Sequence, residues 1–158
     1  MTDVVDRATR SRMMSNIRGK NTKPELLIRK ALHKKGLRYR LHVSHLPGKP
    51  DLVFSKYRAA LFVNGCFWHG HDCKFFRLPS TRRDFWEQKI NGNRERDCRH
   101  ISALRASGWR TLIVWECVTR QKAAIPFDLL IDAIQNWLVT AKDPAFIDLG
   151  GIHVQRQD

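Results

Sequence analysis

The 158-residue sequence has no long apolar run. Its most hydrophobic stretches, residues 59–63 and 111–115, fall far below the roughly 20 residues that cross a bilayer. A membrane-spanning helix is therefore not expected. Residues 1–16 lack the apolar segment of a secretory leader, so the chain is expected in the cytoplasm. Thiols stay reduced there, and the four cysteines are expected to serve a metal or catalysis rather than disulfides. Internal repeats and low-complexity segments are also missing. Acids are scarce: 15 Asp and Glu against 29 Lys and Arg leave a formal charge of +14. That deficit points to a polyanionic partner, nucleic acid first, with a merely solvated basic surface as the plainer reading. An anionic membrane fits less well, because the basic segment offers no Trp/Phe/Leu face to insert.

The charge excess is local. Twelve of the 29 basic residues but only three of the 15 acids precede Leu41. Residues 1–20, with Met13, Met14 and Ile17 among Arg10, Arg12 and Arg18, read as a basic arm. Residues 21–158 read as a single domain, long enough to close a core. Thr22-Lys23-Pro24-Glu25 opens a helix whose buried stripe is Leu26, Leu27, Ala31 and Leu32 and which ends at Gly36. Leu37, Tyr39 and Leu41 then alternate with Arg38, Arg40 and His42, the period of a strand with one wet face. The turn 46–50 leads into a strand over 51–55, with 59–63 as its hairpin partner, and these build a central sheet. Ser80 or Thr81 is placed to cap a long helix reaching about Ala106, with Phe85, Trp86, Ile90, Ile101 and Leu104 inward and Gly108 as its stop. A buried strand over 109–115 and an amphipathic helix over 127–139 follow. A short edge strand at 152–154 is the only element expected in the tail.

Cys66, His71 and Cys73 lie within eight residues of one another. Tetrahedral zinc needs a fourth donor, and Cys98, Cys117 and His69 are the candidates. Cys117 is preferred because it follows a strand that a sheet could set beside Asn64, whereas Cys98 lies mid-helix. The spacing is not that of a zinc finger, and core cysteines with a catalytic histidine remain the rival reading. The same loop displays Phe67 and Trp68, which are either core or a wedge able to enter a base stack.

Asp51, after Pro50 and before a hydrophobic strand, stands where many metal-dependent nucleases hold a metal-binding carboxylate. Yet the D/E-x-K that commonly follows on the next strand is missing, since that strand ends Phe62-Val63-Asn64-Gly65. His69 is the nearby group whose ordinary pKa suits a general base at neutral pH. Glu25 has capping-box spacing from Thr22, and a glutamate there could also face a metal site.

Taken together, Asp6-Arg7-Ala8-Thr9-Arg10-Ser11, Pro47-Gly48-Lys49-Pro50-Asp51, Gly65-Cys66-Phe67-Trp68-His69 and Trp115-Glu116-Cys117 resemble the very-short-patch repair endonucleases. Phe85-Trp86, Glu95-Arg96-Asp97 and Gly151-Ile152-His153 extend the likeness over essentially the whole chain. The resemblance implies an α/β, restriction-endonuclease-like fold: a central mixed β-sheet flanked by helices, with a structural zinc site and a basic N-terminal arm. It implies Mg2+-dependent nicking of duplex DNA 5′ to the thymine of a T:G mismatch by a monomer, with mismatch-repair proteins and a DNA polymerase acting downstream. Asp51 then corresponds to the Mg2+ ligand, His69 to the general base and Glu25 to the acid that orders metal-bound water. Cys66, His71, Cys73 and Cys117 fall on zinc-ligand positions. Phe67, Trp68 and Trp86 match the wedging aromatics, Met14 a side chain entering from the opposite groove, and Lys89 and Asn93 the base contacts. Arg10 and Arg12 are expected on phosphates.

Where the family often carries Thr-His before Gly-Cys, this chain has Val63-Asn64. Valine replaces at little cost a residue that offers Mg2+ only its backbone carbonyl. Asn64 donates a hydrogen bond but cannot be protonated, so an imidazolium's hold on phosphate is lost there. The missing D/E-x-K also leaves room for a non-catalytic binder of mismatched or bent DNA, or for a less selective mismatch endonuclease.

Overall fold

A computed structural model of the chain describes residues 6–8, 20–120, 125–140, 145–148 and 151–154. The strands are β1 (Arg40–Leu41), β2 (Leu52–Phe54), β3 (Ala59–Asn64), β4 (Arg110–Trp115), β5 (Ala145–Asp148) and β6 (Gly151–Val154), and they form one sheet in that order. β1, β2 and β3 run antiparallel, β3, β4 and β5 parallel, and β6 returns antiparallel to β5. The sheet is therefore mixed. The helices are α1 (Lys23–Lys34), α2 (Arg83–Ala106) and α3 (Phe127–Thr140). Among the described residues no helix is long and apolar enough to cross a membrane.

Side-chain alternation along the strands sorts the layers. Leu52, Phe54, Leu61, Leu112 and Val114 join Ile28 and Leu32 of α1 and Leu130, Ile134 and Leu138 of α3 in the main core. Ile113 and Phe62 fall on the other face, where they border a cleft with Ile101 of α2. The parallel pairing of β3 and β4 brings Asn64 level with Trp115. The segments leaving both strands consequently emerge at the same end of the sheet, which positions the functional loops.

Several local expectations are corrected. The strand expected over 37–42 pairs only at Arg40 and Leu41, because Leu37 is buried in the main core and Leu41 is left 43% exposed at the edge. In α1 the inward residues are Ile28 and Leu32, while Leu27 is exposed. Thr22 occupies the N-cap of α1 without a side-chain cap bond. Neither Ser80 nor Thr81 sits in the cap position of α2. Arg82 holds it, in the left-handed region at φ 53° and without a side-chain cap bond, and its guanidinium lies 4.3 Å from the centre of the Phe85 ring. Phe85 is accordingly exposed, while Ile90 and Leu104 are buried. β5, which no sequence pattern announced, fills the place between β4 and β6. The basic arm's Arg10, Arg12 and Met14 lie outside the described residues.

Candidate active site and metal centre

The first cluster gathers at the β2–β3 edge. Pro50 is buried and delivers Asp51 to the start of β2. The Val63 amide donates to Asp51 Oδ2 at 2.7 Å, and the His42 amide donates to the Asp51 carbonyl at 3.1 Å. Glu25, in the first turn of α1, is only 1% exposed. Its Oε1 contacts His42 Nε2, so it does not fold back as a capping glutamate. Its Oε2 has no hydrogen-bond partner although buried: Arg29 Nη1 lies 3.6 Å away and donates instead to Asn21 Oδ1 at 2.7 Å. Ligand atoms of Glu25, His42 and Asp51 all fall within 4.8 Å of one another. Burial pushes the Asp51 carboxyl up to about 7; the Val63 N–H opposes this and the neighbouring Glu25 reinforces it. Two carboxyls crowded away from water with one orphaned oxygen make a site that a dication fits, because its charge satisfies both.

Asp51 shares a cleft of about 240 Å³ with Lys49, Val63, Asn64, His69, Asp97 and His100. At a liquid share of roughly 30 Å³ per water, it accepts a hydrated cation. Asn64 is 7% exposed there. His69 Nδ1 lies 2.5 Å from Asp97 Oδ2. A neutral imidazole facing a carboxylate presents its N–H, which leaves Nε2 as the proton acceptor. Lys49, Arg96 and His100 border the adjoining recess with His69 and Asp97, a basic rim suited to phosphate.

The second cluster is closed. Cys66, His71, Cys73 and Cys117 place their ligand atoms within 4.8 Å of one another, whereas Cys98 is exposed on α2. His71 Nδ1 lies 3.8 Å from Cys117 Sγ, and its Nε2 lies 3.3 Å from Asp148 Oδ2. The ring also stacks on Trp115 at 4.2 Å with an interplanar angle of 6°. The hydrogen bond with Cys117, together with burial, raises the Cys66 thiol, and burial raises that of Cys73. Three thiols and an imidazole in that space are the donor set of a tetrahedral zinc centre.

One loop joins the clusters, and α2 clamps it. Asn93 donates to the Trp68 carbonyl at 2.8 Å and Arg94 Nε to the Gly70 carbonyl at 2.9 Å, one turn from Asp97 on His69. Gly70 adopts φ +63°, and a Cβ there would meet Arg94 Nε at 2.3 Å and Ile90 Cγ2 at 2.6 Å, so a side chain there would strain the backbone and push Arg94 from its place on the Gly70 carbonyl. Asn93 is thus engaged within the protein, while Lys89 is exposed. Phe67, Trp68 and Trp86 are half-buried, and their ring centres lie 5.1, 5.5 and 5.8 Å apart in edge-on pairs. They form neither a sealed core nor isolated spikes.

Asp97 and His42 escaped the sequence reading. Asp97 could have been sought as the acid a catalytic histidine needs, on a helix near the loop in space. His42 looked like one polar residue of an alternating strand.

The matching family model, described as DNA mismatch endonuclease Vsr, covers residues 2–75. The chain is 43% identical to DNA mismatch endonuclease Vsr of Escherichia coli K12 over 98% of this chain and 99% of that protein. It is 50% identical to the type II nicking enzyme V.XorIIP of Xanthomonas oryzae pv. oryzae over 74% of this chain and 86% of that one. With the type II nicking enzyme V.NmeAIP of Neisseria meningitidis serogroup A it shares 44% identity over 78% and 88%. The catalytic domain of homing endonuclease I-Bth0305I superposes with a TM-score of 0.49 at 21% identity, over 75% of this chain and 97% of that domain. The sequence relatives define the class: this is a DNA endonuclease. Within that class, the chain belongs to the DNA mismatch endonuclease Vsr family.

Proposed function

We propose that this chain is a Mg2+-dependent, strand-specific endonuclease that nicks duplex DNA 5′ to the thymine of a T:G mismatch in very-short-patch repair. The observation that carries the reading is the cleft in which Asp51 and an Asp97-oriented His69 face the same space. Mg2+, when bound, supplies charge neutralisation at the scissile phosphate and lowers the pKa of a water. Asp51 would hold it, and the Val63 carbonyl would be a second ligand. In a strand a residue's N–H and C=O project to the same edge, and the Val63 N–H already points at Asp51. His69 Nε2 takes the proton of the attacking water while Asp97 keeps the ring's tautomer and stabilises the imidazolium. Asn64 offers a neutral donor, and Lys49, Arg96 and His100 hold phosphate at the rim.

Residues 21–158 form the endonuclease domain in this reading, with a restriction-endonuclease-like arrangement of the mixed sheet and its helices. Zn2+ in the cysteine cluster is structural. Phe67, Trp68 and Trp86 press on the mismatched pair, Met14 enters from the opposite groove, Lys89 contacts bases, and Arg10 and Arg12 hold phosphates. The enzyme works as a cytoplasmic monomer, and its nick is handed to downstream repair proteins and a polymerase. The deciding experiment is nicking of end-labelled T:G and matched duplexes with and without Mg2+. A single Mg2+-dependent cut 5′ to the mismatched thymine is expected. Tight mismatch binding without cutting would make the protein a binding module, and equal cutting of matched DNA would make it an unselective nuclease.

A further inference from the structure

We propose that His42 is a direct ligand of the catalytic divalent cation, so that Glu25, His42 and Asp51 form a mixed nitrogen–oxygen site. The inference rests on the reading that Asp51 holds that cation. Three observations lead to it. One ligand atom from each residue lies within 4.8 Å of the other two, although α1, β1's end and β2's start are separate parts of the chain. Glu25 is 1% exposed and its Oε2 has no hydrogen-bond partner, a buried acceptor left without a donor. His42 is held at φ 46°, a conformation few non-glycine residues adopt, and its backbone N–H donates to the Asp51 carbonyl, which holds the residue beside the acids.

Besides His42, the charge facing the two acids is the Arg29 guanidinium, 3.6 Å from Glu25 Oε2 with its Nη1 donating to Asn21 Oδ1, so Oε2 has a charge nearby but no donor of its own. A proton between His42 Nε2 and Glu25 Oε1 and a cation shared by both atoms are alternatives, and binding the ion displaces that proton. An imidazole ligand also changes the selectivity. Mg2+ is a hard ion that prefers oxygen, whereas Mn2+ and later first-row ions accept nitrogen readily. This chain should favour Mn2+ over Mg2+ more strongly than an all-oxygen site would.

The test uses the full-length protein with zinc in its cysteine cluster, histidine imidazoles labelled with 15N, and Mn2+ alone without DNA. Pulsed EPR of bound Mn2+ should show one coupled imidazole nitrogen, retained in His69→Gln and lost in His42→Gln. Calorimetry should show His42→Gln weakening Mn2+ by at least about tenfold, the scale on which even outer-shell changes act, and weakening Mg2+ less. Bound Mn2+ with no nitrogen coupling in the wild type overturns the proposal without needing any variant to fold. Coupling that survives His42→Gln, or no Mn2+ binding at millimolar concentration, overturns it as well. Asp51→Asn separates the two readings. If it abolishes Mn2+ binding and nicking while no nitrogen is seen, Asp51 keeps its role and His42 is only a salt-bridge partner. If Mn2+ still binds and DNA is still nicked, the reading of Asp51 itself has failed.

Discussion

The two clusters that could hold a metal ion stand at opposite limits of enclosure. In the cysteine cluster Cys66 and Cys117 are 2% and 0% exposed. Three soft thiols and an imidazole close on one another, and His71 is fixed from three sides by Cys117, Asp148 and the Trp115 ring. The Glu25–His42–Asp51 cluster is built from hard oxygens and one imidazole, and Asp51 opens into the cleft beside His69. A closed set leaves no position for substrate and contributes its binding energy to folding. An open set does the reverse: it costs stability until an ion and a phosphate arrive. The loop 65–73 ties them, so the rigid site holds the reactive one in register.

The largest effect should come from breaking the closed cluster. Cys117→Ser should release zinc and lower the melting temperature by more than about 10 °C, since structural zinc contributes on the order of 10 kcal/mol to small domains. Metal content by atomic absorption and melting by circular dichroism should fall together. A zinc-free wild type of unchanged stability would remove the structural role. Nicking by this variant should also fail, because His69 loses its anchored loop.

The open cluster should show the opposite balance. Asp51→Asn should reduce nicking by about a thousandfold or more, given the several kcal/mol a metal supplies to the transition state. Its folding should nevertheless survive. The Asp51 carboxyl is raised by burial from 3.8 to about 7, so the folded protein binds that proton more tightly than the unfolded chain. With no Mg2+ or Mn2+ added and zinc left in the cysteine cluster, wild-type stability should fall as pH rises from about 4 to 7. The asparagine variant lacks this loss, so it should be the more stable protein at pH 7.5 and no different near pH 4. Thermal melts at both pH values check the sign, and a destabilised variant at pH 7.5 would show that Asp51 packs rather than waits for a cation.

Asp97→Asn sharpens the comparison at the junction, where α2 orients His69. Nicking should drop about 10- to 100-fold, as a general base loses the partner that fixes its tautomer, with zinc content unchanged. An unaltered rate and pH profile would leave Asp97 a structural clamp only. The smallest effect is expected at the aromatics: Trp68→Ala should narrow the preference for T:G over matched duplex by about tenfold, within the 1–3 kcal/mol of one stacked base. The salt dependence of binding should stay the same. Equal loss of affinity for both duplexes would place Trp68 among the packing residues.

Much of this molecule was legible because its signals are local. The helix over 127–139, the strand over 109–115, the basic imbalance and the Cys66-His71-Cys73 spacing each sit within one stretch of chain, where periodicity or ligand spacing acts directly. The preference for Cys117 over Cys98 went one step further, resting on a sheet pairing that would set the end of its strand beside Asn64, and Asn64 does lie level with Trp115. One short element was not legible: β5 is four residues, carries no alternation to announce it, and exists because β4 offers it an edge.

Everything that depends on partners far apart in sequence was decided by the tertiary structure. His42 meets Glu25 across 17 residues, His69 meets Asp97 across 28, and His71 meets Cys117 across 46. Nothing in either member of the first two pairs marks the other: the pairing of β1 with β2 and the packing of α1 on the sheet bring His42 to Glu25, and the packing of α2 over the loop brings Asp97 to His69. Glu25 shows the difference most sharply. Its sequence spacing fits a cap that water could replace, but the fold buries it beside a second acid and leaves one carboxylate oxygen without a donor, a cost that burial alone creates.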